Sequence, residues 1–171
     1  VIGGIDYAHS GNVITNKTIS WPVALSGGFQ GSLTARQNVR FVARLYVNQA
    51  EEVEHVVNFV EEFAEIGKYF DMPMKSYSSG MRSRIGFGLS MAFNFDYYLL
   101  DEAGAVGDAS FRKKSQALLD ELKENSNIIM VSHDLKDLTR NCDVAFLVRD
   151  GKAEYFDNVQ DAVEVYKAYA S

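Results

Sequence analysis

The chain has 171 residues, of which 47% are apolar and 23% are charged, which is the balance of an ordinary folded domain. A chain of this length forms a sufficient core without a disulfide or a structural metal, and a single cysteine, Cys142, excludes an internal disulfide. The net charge of −6 argues against binding of nucleic acid or anionic lipid through bulk charge. No apolar run approaches the roughly 20 residues that cross a bilayer.

The first half of the chain predicts two short strands followed by three helices. In chain order these are strands at 13–15 and 18–21 and helices at 34–46, 53–64 and 79–94. Thr34 and Gln37 have the capping-box spacing, which predicts the start of the first helix. Valine and phenylalanine at spacings of three and four predict one buried stripe along the second helix, which Gly67 closes.

The second half alternates strands and helices. In chain order it predicts a strand at 97–101, a helix at 110–124, a strand at 127–132, a helix at 135–141, strands at 143–149 and 152–156, and a last helix starting after Asn158. The strands at 97–101 and 127–132 read as continuous apolar runs, which is typical of parallel strands covered on both faces. Asp150-Gly151 predicts a hairpin turn. For the last helix, the apolar positions Val159, Ala162, Val163, Tyr166 and Ala170 predict the buried stripe. The fold class is therefore α/β, with a parallel sheet, a helical insertion and a C-terminal hairpin and helix.

Two of these strands end in groups that can do chemistry. Asp101 and Glu102 close one apolar run, and His133 follows the next. The carboxyl ends of parallel strands are where function concentrates in such sheets. One carboxylate can hold a metal ion while the other, pointing the opposite way along the strand, accepts a proton from water. Taken alone, solvated strand-end acids and a hydrogen-bonding histidine are the commoner explanation.

Two loops complete the candidate site. The turn Ser78-Ser79-Gly80 leads into a helix, so its backbone N–H groups and the helix dipole can bind a phosphate, although a simple N-cap would have the same sequence. A glycine-rich loop carries one amide side chain, Gln30. The joint order of these features along the chain is more informative than any one of them.

This order resembles the nucleotide-binding domain of ATP-binding cassette (ABC) transporters over essentially the whole chain. In that family Tyr77 to Met81 corresponds to the signature sequence and Tyr97 to Asp101 to the Walker B strand. The resemblance implies a P-loop NTPase-type (RecA-like) core at 1–30 and 96–171 and a helical subdomain at about 31–95.

The resemblance also implies roles for single residues. Asp101 would hold Mg²⁺, Glu102 would be the general base for the hydrolytic water, and His133 would contact the γ-phosphate. The residues that would contact nucleotide are Ser78, Ser79, Gly80, Asp108 and Gln30. The resemblance places Asp108 in the D-loop of the family. Gln30 is also offered as a Mg²⁺ ligand, but it lies only eight residues before Asn38, a short spacing for the family that weakens this role.

Longer segments narrow the resemblance to the ATPase subunits of bacterial capsular-polysaccharide exporters of the polysialic acid type. They are 19–22, 28–34, 41–46 and 75–84. The resemblance implies ATP and Mg²⁺ as ligands and a head-to-tail dimer of two ATPase copies. It further implies a membrane-spanning permease as partner, no nucleic acid, and a peripheral position on the cytoplasmic face of the inner membrane.

Besides the short spacing after Gln30, the sequence departs from the family at the signature and at the phosphate-binding loop. The signature has Tyr77, Ser79 and Met81 where other residues are common, while Ser78 and Gly80 are kept. No Gly-x-x-x-x-Gly-Lys-Ser/Thr loop occurs between Val1 and Ser171. With no methionine at position 1, this predicts that the chain lacks the first strand, P-loop and helix of the domain, so that these residues alone would be inactive, bind ATP weakly and associate through exposed apolar faces.

Three functions follow from these observations. The first is an ATPase that powers capsular-polysaccharide export across the inner membrane. The second is the same ATPase type in an exporter of O-antigen or teichoic acid, which shares all the chemistry and differs in cargo. The third is a catalytically silent fragment that acts only as an interaction module.

Overall fold

A computed structural model of the chain describes residues 2–4, 6–23, 28–102 and 107–170. Five strands and six α-helices are found among them. In chain order they are β1 (Ile19–Pro22), α1 (Ala35–Tyr46), α2 (Ala50–Ala64), α3 (Ser79–Met91), β2 (Tyr97–Asp101), α4 (Ala109–Leu122), β3 (Asn127–Val131), α5 (Leu135–Asn141), β4 (Ala145–Arg149), β5 (Lys152–Phe156) and α6 (Val159–Ala170). Two short 3₁₀ segments, Gly67–Asp71 and Met74–Ser76, connect α2 to α3. The predicted α/β class is confirmed.

The sheet that positions the site is parallel, with the strand order β1-β2-β3. Strands β2 and β3 run in register from Tyr97 opposite Asn127 to Asp101 opposite Val131. Parallel neighbours need a crossover, and α4 provides it between these two strands. The carboxyl ends of β2 and β3 therefore lie side by side.

Helix α2 packs against both α1 and α3. The capping box of α1 is present: Thr34 Oγ1 accepts from the Gln37 N–H, and Gln37 Oε1 accepts from the Thr34 N–H. The predicted stripe of α2 is buried, and it consists of Val53, Val56, Val57, Val60, Phe63 and Ala64. Helices α2, α3 and α4 contact one another through the rings of Phe63, Phe87 and Phe111, whose centroids are 5.2 to 6.3 Å apart.

Two strand predictions were wrong. Residues 13–15 form no strand, and Ile14 is 92% exposed, because no neighbouring strand within the described part of the chain takes up their backbone hydrogen bonds. The alternation of strands and helices in the second half favours a place for β4 in the parallel sheet, but among the described strands β4 pairs only with β5, antiparallel. The prediction that β3 is covered on both faces was also wrong at its end, since Val131 is exposed.

Several element ends differ from prediction. Helix α2 ends before Glu65, which is left-handed at φ 51°, and Gly67 begins the following 3₁₀ segment instead of closing the helix. Helix α3 stops at Met91, short of the predicted Asn94. Tyr166 is 44% exposed, so the buried stripe of α6 narrows to Val159, Ala162 and Val163, as far as its side chains are described.

The C-terminal hairpin and helix are as predicted. Asp150 and Gly151 both have positive φ, at 51° and 73°, which is the requirement of a type I′ hairpin turn. Asn158 Oδ1 accepts from the Gln160 N–H at 2.8 Å and so caps α6. No helix in the described ranges is long and apolar enough to cross a bilayer.

Candidate functional site

The two predicted catalytic residues lie together at the ends of β2 and β3. The Glu102 N–H donates to the Val131 carbonyl at 2.9 Å, which continues the pairing one residue beyond β2. His133 Nδ1 lies 3.3 Å from Glu102 Oε1, and both side chains are exposed. The arrangement brings a carboxylate and an imidazole to one point at the strand ends, where both can reach a ligand from solvent.

Glu102 has an uncommon backbone conformation. Its φ is +51°, in the left-handed region that few residues other than glycine, asparagine and aspartate adopt. The simple alternation of side chains along a strand therefore ends at Asp101 and does not set the direction of Glu102, contrary to the sequence argument. Strained conformations of this kind are found at functional sites more often than elsewhere.

The Ser78-Ser79-Gly80 turn is the start of α3. Ser78 has extended backbone angles and its Oγ accepts from the Met81 N–H at 3.2 Å, so it is an N-cap. An N-cap side chain satisfies only one of the four free N–H groups of a first helical turn. The turn is exposed at Ser78 and Ser79, so the remaining N–H groups and the positive end of the helix dipole can receive a phosphate.

Tyr77, one of the three residues that depart from the usual signature, anchors this turn. Its ring is buried, and its hydroxyl donates to the Tyr69 carbonyl, with the Met72 carbonyl at 3.2 Å. Burial raises the pKa of Tyr77 above its ordinary value, so the hydroxyl stays protonated and remains a donor. Tyr77 thus connects the start of α3 to the 3₁₀ segment Gly67–Asp71.

Asp108 caps the start of α4 and is paired with a cation from α3. Its Oδ1 accepts from the Phe111 N–H at 2.9 Å, and its Oδ2 accepts from Arg84 Nη2 at 2.8 Å. The Phe111 N–H, together with the positive charge of Arg84, holds the pKa of Asp108 below its ordinary value. Asp108 is therefore ionised at neutral pH.

One cleft of about 760 Å³ brings five of the predicted site residues together. They are Ser78, Ser79, Gly80, Glu102 and Asp108. Glu65, Tyr69 and Arg84 also line it and were not predicted as site residues. Glu65 and Tyr69 follow α2 and belong to none of the motifs, so only the fold shows that they line the cleft. Asp101 precedes Glu102 in the sequence and His133 contacts Glu102, but neither is among the residues that line the cleft.

Gln30 is held elsewhere. Its N–H donates to Asn38 Oδ1 at 2.8 Å and its carbonyl accepts from Asn38 Nδ2 at 3.1 Å, so the buried asparagine pins the loop to α1. The Gln30 amide is exposed and donates to Ser32 Oγ at 3.2 Å. The short spacing from Gln30 to Asn38 allows both of these hydrogen bonds to form. Gln30 does not line the cleft, and its nucleotide and metal roles stay predictions.

Asp101 has the chemistry of a magnesium ligand. It is exposed at the carboxyl end of β2, and a carboxylate oxygen is a donor that Mg²⁺ prefers. No group of three or more histidine, cysteine or acidic side chains with metal-binding geometry occurs in the described residues. Magnesium bound with phosphates commonly takes only one or two protein carboxylates, so a single aspartate fits.

The chain is similar over nearly its whole length to curated export proteins. It is 60% identical over 170 residues to the polysialic acid transport ATP-binding protein KpsT of Escherichia coli, covering 99% of this chain and 75% of the relative. It is 40% identical to the capsule polysaccharide export ATP-binding protein CtrD of Neisseria meningitidis, covering 98% and 76%. The teichoic acids export ATP-binding protein TagH of Staphylococcus haemolyticus is 31% identical, covering 99% and 64%.

The fold is shared with solved structures. The ATP-binding cassette MJ0796, solved as a dimer with ADP and Pi, matches with a TM-score of 0.64 at 21% identity over 81% of this chain and 62% of that one. A scan against models of protein families gave no match. The chain spans about three quarters of the length of KpsT and CtrD. Identity of 60% and 40% over that span shows that the chain belongs to the ATP-binding proteins of capsule polysaccharide export, a family of ABC transporter ATPases.

Proposed function

We propose that this chain carries the catalytic carboxylate of an ATPase that powers export of a capsular polysaccharide. The observation that carries the proposal is the approach of His133 Nδ1 to Glu102 Oε1, at 3.3 Å, beside the exposed end of β2. Family membership supports the reaction, the hydrolysis of ATP to ADP and phosphate. The cleft supports the substrate class, because it presents a helix start with free N–H groups to an anionic group.

Each residue has a separate role in the proposed mechanism. Glu102 accepts the proton of the attacking water, and His133 orients the reacting phosphate from the neighbouring strand end. Asp101 holds Mg²⁺, which when bound neutralises charge on the phosphate oxygens. Ser78 and Gly80 present the start of α3 to the nucleotide of a second copy, so the active form is a head-to-tail homodimer.

A membrane-spanning permease is the proposed second partner, which would place the chain at the cytoplasmic face of the inner membrane. Phe41 and Leu45 support this, because they lie one turn apart on α1 and are both exposed. We assign 31–95 to a helical subdomain that receives the permease, and 1–30 with 96–171 to the catalytic core. Copurification of the full-length chain with its permease tests the partner directly.

The catalytic assignment is tested with Glu102→Gln in the full-length protein reconstituted with its permease. The substitution keeps the size of the side chain and removes the basic carboxylate. We expect ATP hydrolysis to fall by about 100-fold or more, since general base catalysis contributes about 10²- to 10⁴-fold. Binding of ATP should persist, which equilibrium binding to the purified complex measures.

The matched control is Glu121→Gln, an exposed glutamate on α4 that lines no part of the cleft. This variant should hydrolyse ATP at the rate of the parent. Undiminished hydrolysis by Glu102→Gln would show that Glu102 is not the base.

A teichoic acid cargo is the second candidate, because TagH aligns over almost all of this chain. The higher identity to KpsT and CtrD favours capsular polysaccharide. Surface capsule in a strain deleted for the chain, with and without the restored gene, distinguishes the cargoes. Unchanged capsule in the deletion strain would favour the second candidate.

A further inference from the structure

The C-terminal end of α2 is closed by side chains from two other helices. Helix α2 has no basic residue in its own last turn. Instead Arg84 of α3 donates from Nη1 to the Ala64 carbonyl at 3.3 Å, and Lys114 of α4 donates from Nζ to the Phe63 carbonyl at 3.1 Å. Cations at this end satisfy free carbonyls and oppose the negative end of the helix dipole.

Arg84 has a second, different set of contacts. Its Nη2 donates to Asp108 Oδ2 at 2.8 Å, and its guanidinium lies 4.6 Å from the centre of the Phe111 ring. The side chain is only 17% exposed, so the guanidinium is fixed between α2, α3 and the start of α4. Arg84 therefore connects the helix that begins at Ser78 to the residue that begins α4.

Lys114 binds the same end of α2 as Arg84 but has a different ion-pair partner. It lies over the Phe63 ring at 5.0 Å and pairs with Glu65 Oε1 at 2.6 Å. It binds the same end of α2, yet no hydrogen bond or ion pair joins it to Asp108. Both cations hold the end of α2, but their ion-pair partners at the cleft differ: Lys114 pairs with Glu65, to which no catalytic role is assigned, and Arg84 pairs with Asp108.

We infer that Arg84 is a positioning residue that holds Asp108 in place against the start of α3. The cleft is lined by Ser78 to Gly80 from α3 and by Glu102 and Asp108 from the segments after β2. The Arg84–Asp108 ion pair is a direct, partly buried link between these two groups. A misplacement of about 1 Å at a reacting site can lower a rate by about 100-fold. The inference rests on the proposed ATPase function.

The test compares four variants in the full-length ATPase reconstituted with its permease, with ATP turnover as the readout. Arg84→Met removes the charge and keeps an apolar stem on Phe111. Asp108→Asn removes the charge of the partner but remains a good N-cap for α4. The double variant completes a cycle, and Lys114→Met is the matched control.

We expect Arg84→Met to lower kcat by about tenfold or more with KM for ATP changed by less than about twofold, because Arg84 positions a neighbour and does not bind the nucleotide. Asp108→Asn should show a similar loss, and the double variant should be no slower than either single variant. Lys114→Met should lower the unfolding temperature by as much as Arg84→Met but change kcat by less than about twofold.

Two results would overturn the inference. One is that Arg84→Met and Lys114→Met lose the same fraction of kcat. The other is that the losses of Arg84→Met and Asp108→Asn multiply in the double variant, which would mean that Asp108 acts without Arg84. If Arg84→Met does not fold, Arg84→Gln, which also removes the charge, replaces it in the cycle, with the same expected loss of kcat. Glu102→Gln, measured in the same series, reports failure of the proposed ATPase function separately.

Discussion

Gly107 occupies a position that side chains do not fit. Its φ is +77°, and an added Cβ would lie 2.9 Å from Phe111 Cδ1 and 3.0 Å from Phe111 Cβ. Phe111 is itself buried against Phe63 and Phe87, so it cannot move aside without disturbing the contact between three helices. The turn that precedes Asp108 is therefore specified by a glycine.

Gly107→Ala should destabilise the protein and weaken the capping of α4 by Asp108. We expect a loss of about 1 to 3 kcal/mol in the free energy of unfolding, the usual range for a strained left-handed residue. Urea unfolding measures it. Gly31→Ala is the control, because its Cβ would meet Lys75 only at ordinary contact distance, 3.7 Å. Equal stability of the two variants would contradict the steric argument.

For single residues, the sequence predicts those that end a helix or strand but does not predict those that connect two such elements. Glu102 and His133 follow apolar runs, so their neighbourhood could be predicted from strand order alone. The contact of Arg84 with the Ala64 carbonyl could not, because it links positions 20 residues apart and depends on how α2 packs on α3. The left-handed φ of Glu102 could not be predicted either, because glutamate is not a residue type that favours this conformation.

Among the elements, the starts of β1 and β2 are joined by one carboxylate. Asp96 accepts hydrogen bonds from the Thr18 N–H and hydroxyl, both at 2.8 Å, and from Lys17 Nζ at 3.1 Å. The bond from the Thr18 N–H, followed by those from its hydroxyl and Lys17, lowers the pKa of Asp96 to about 2. This group sets the register at which the two parallel strands begin.

The sign of the pH effect follows from this lowered pKa. The contribution of Asp96 is fully present above its unfolded pKa of about 4 and is lost as the pH falls towards 2. Asp96→Asn should therefore be less stable than the parent at pH 6, with the difference disappearing by about pH 2. Urea unfolding across this range measures it.

The control for this prediction is Asp157→Asn, an exposed aspartate before α6. It should follow the parent at every pH. A difference between Asp96→Asn and the parent that is as large at pH 2 as at pH 6 would show that the contribution does not come from the ionised carboxylate.

The helices illustrate why element types are easier to predict than element ends. Thr34 and the valine stripe of α2 encode helices locally, and both were predicted correctly. The end of α2 depends on Glu65 adopting a left-handed conformation beside Lys114, which is a contact between distant segments. Residues 13–15 have the composition of a strand but pair with no strand among the described residues, and a strand is stable only when a neighbour shares its hydrogen bonds.

For the whole molecule, the β4–β5 hairpin presents an apolar face to solvent. Phe146 and Val148 on β4 are 67% and 72% exposed, and the ring centroid of Tyr155 lies 5.2 Å from that of Phe146, with the two rings tilted by 52°. A contiguous patch of this type favours association, and a net charge of −6 provides only weak repulsion against it.

We expect the 171-residue chain to associate with itself at micromolar concentration. Phe146→Ser combined with Val148→Ser should shift the population towards monomer without lowering the unfolding temperature by more than a few degrees, because both side chains are exposed. Sedimentation velocity over a tenfold concentration range measures the shift. Tyr7→Ser, which removes an isolated exposed ring, should leave association unchanged; a parent chain that is monomeric throughout would refute the prediction.

The closure of α2 by Arg84 and Lys114 has a consequence for the order of folding. These side chains come 20 and 51 residues after the carbonyls that they bind, so the last turn of α2 is completed only when α3 and α4 have docked. The valine-rich part of the helix can form earlier through local contacts. We therefore expect amides near Phe63 and Ala64 to gain protection from hydrogen exchange later during refolding than those near Val57, a delay that pulse labelling would detect.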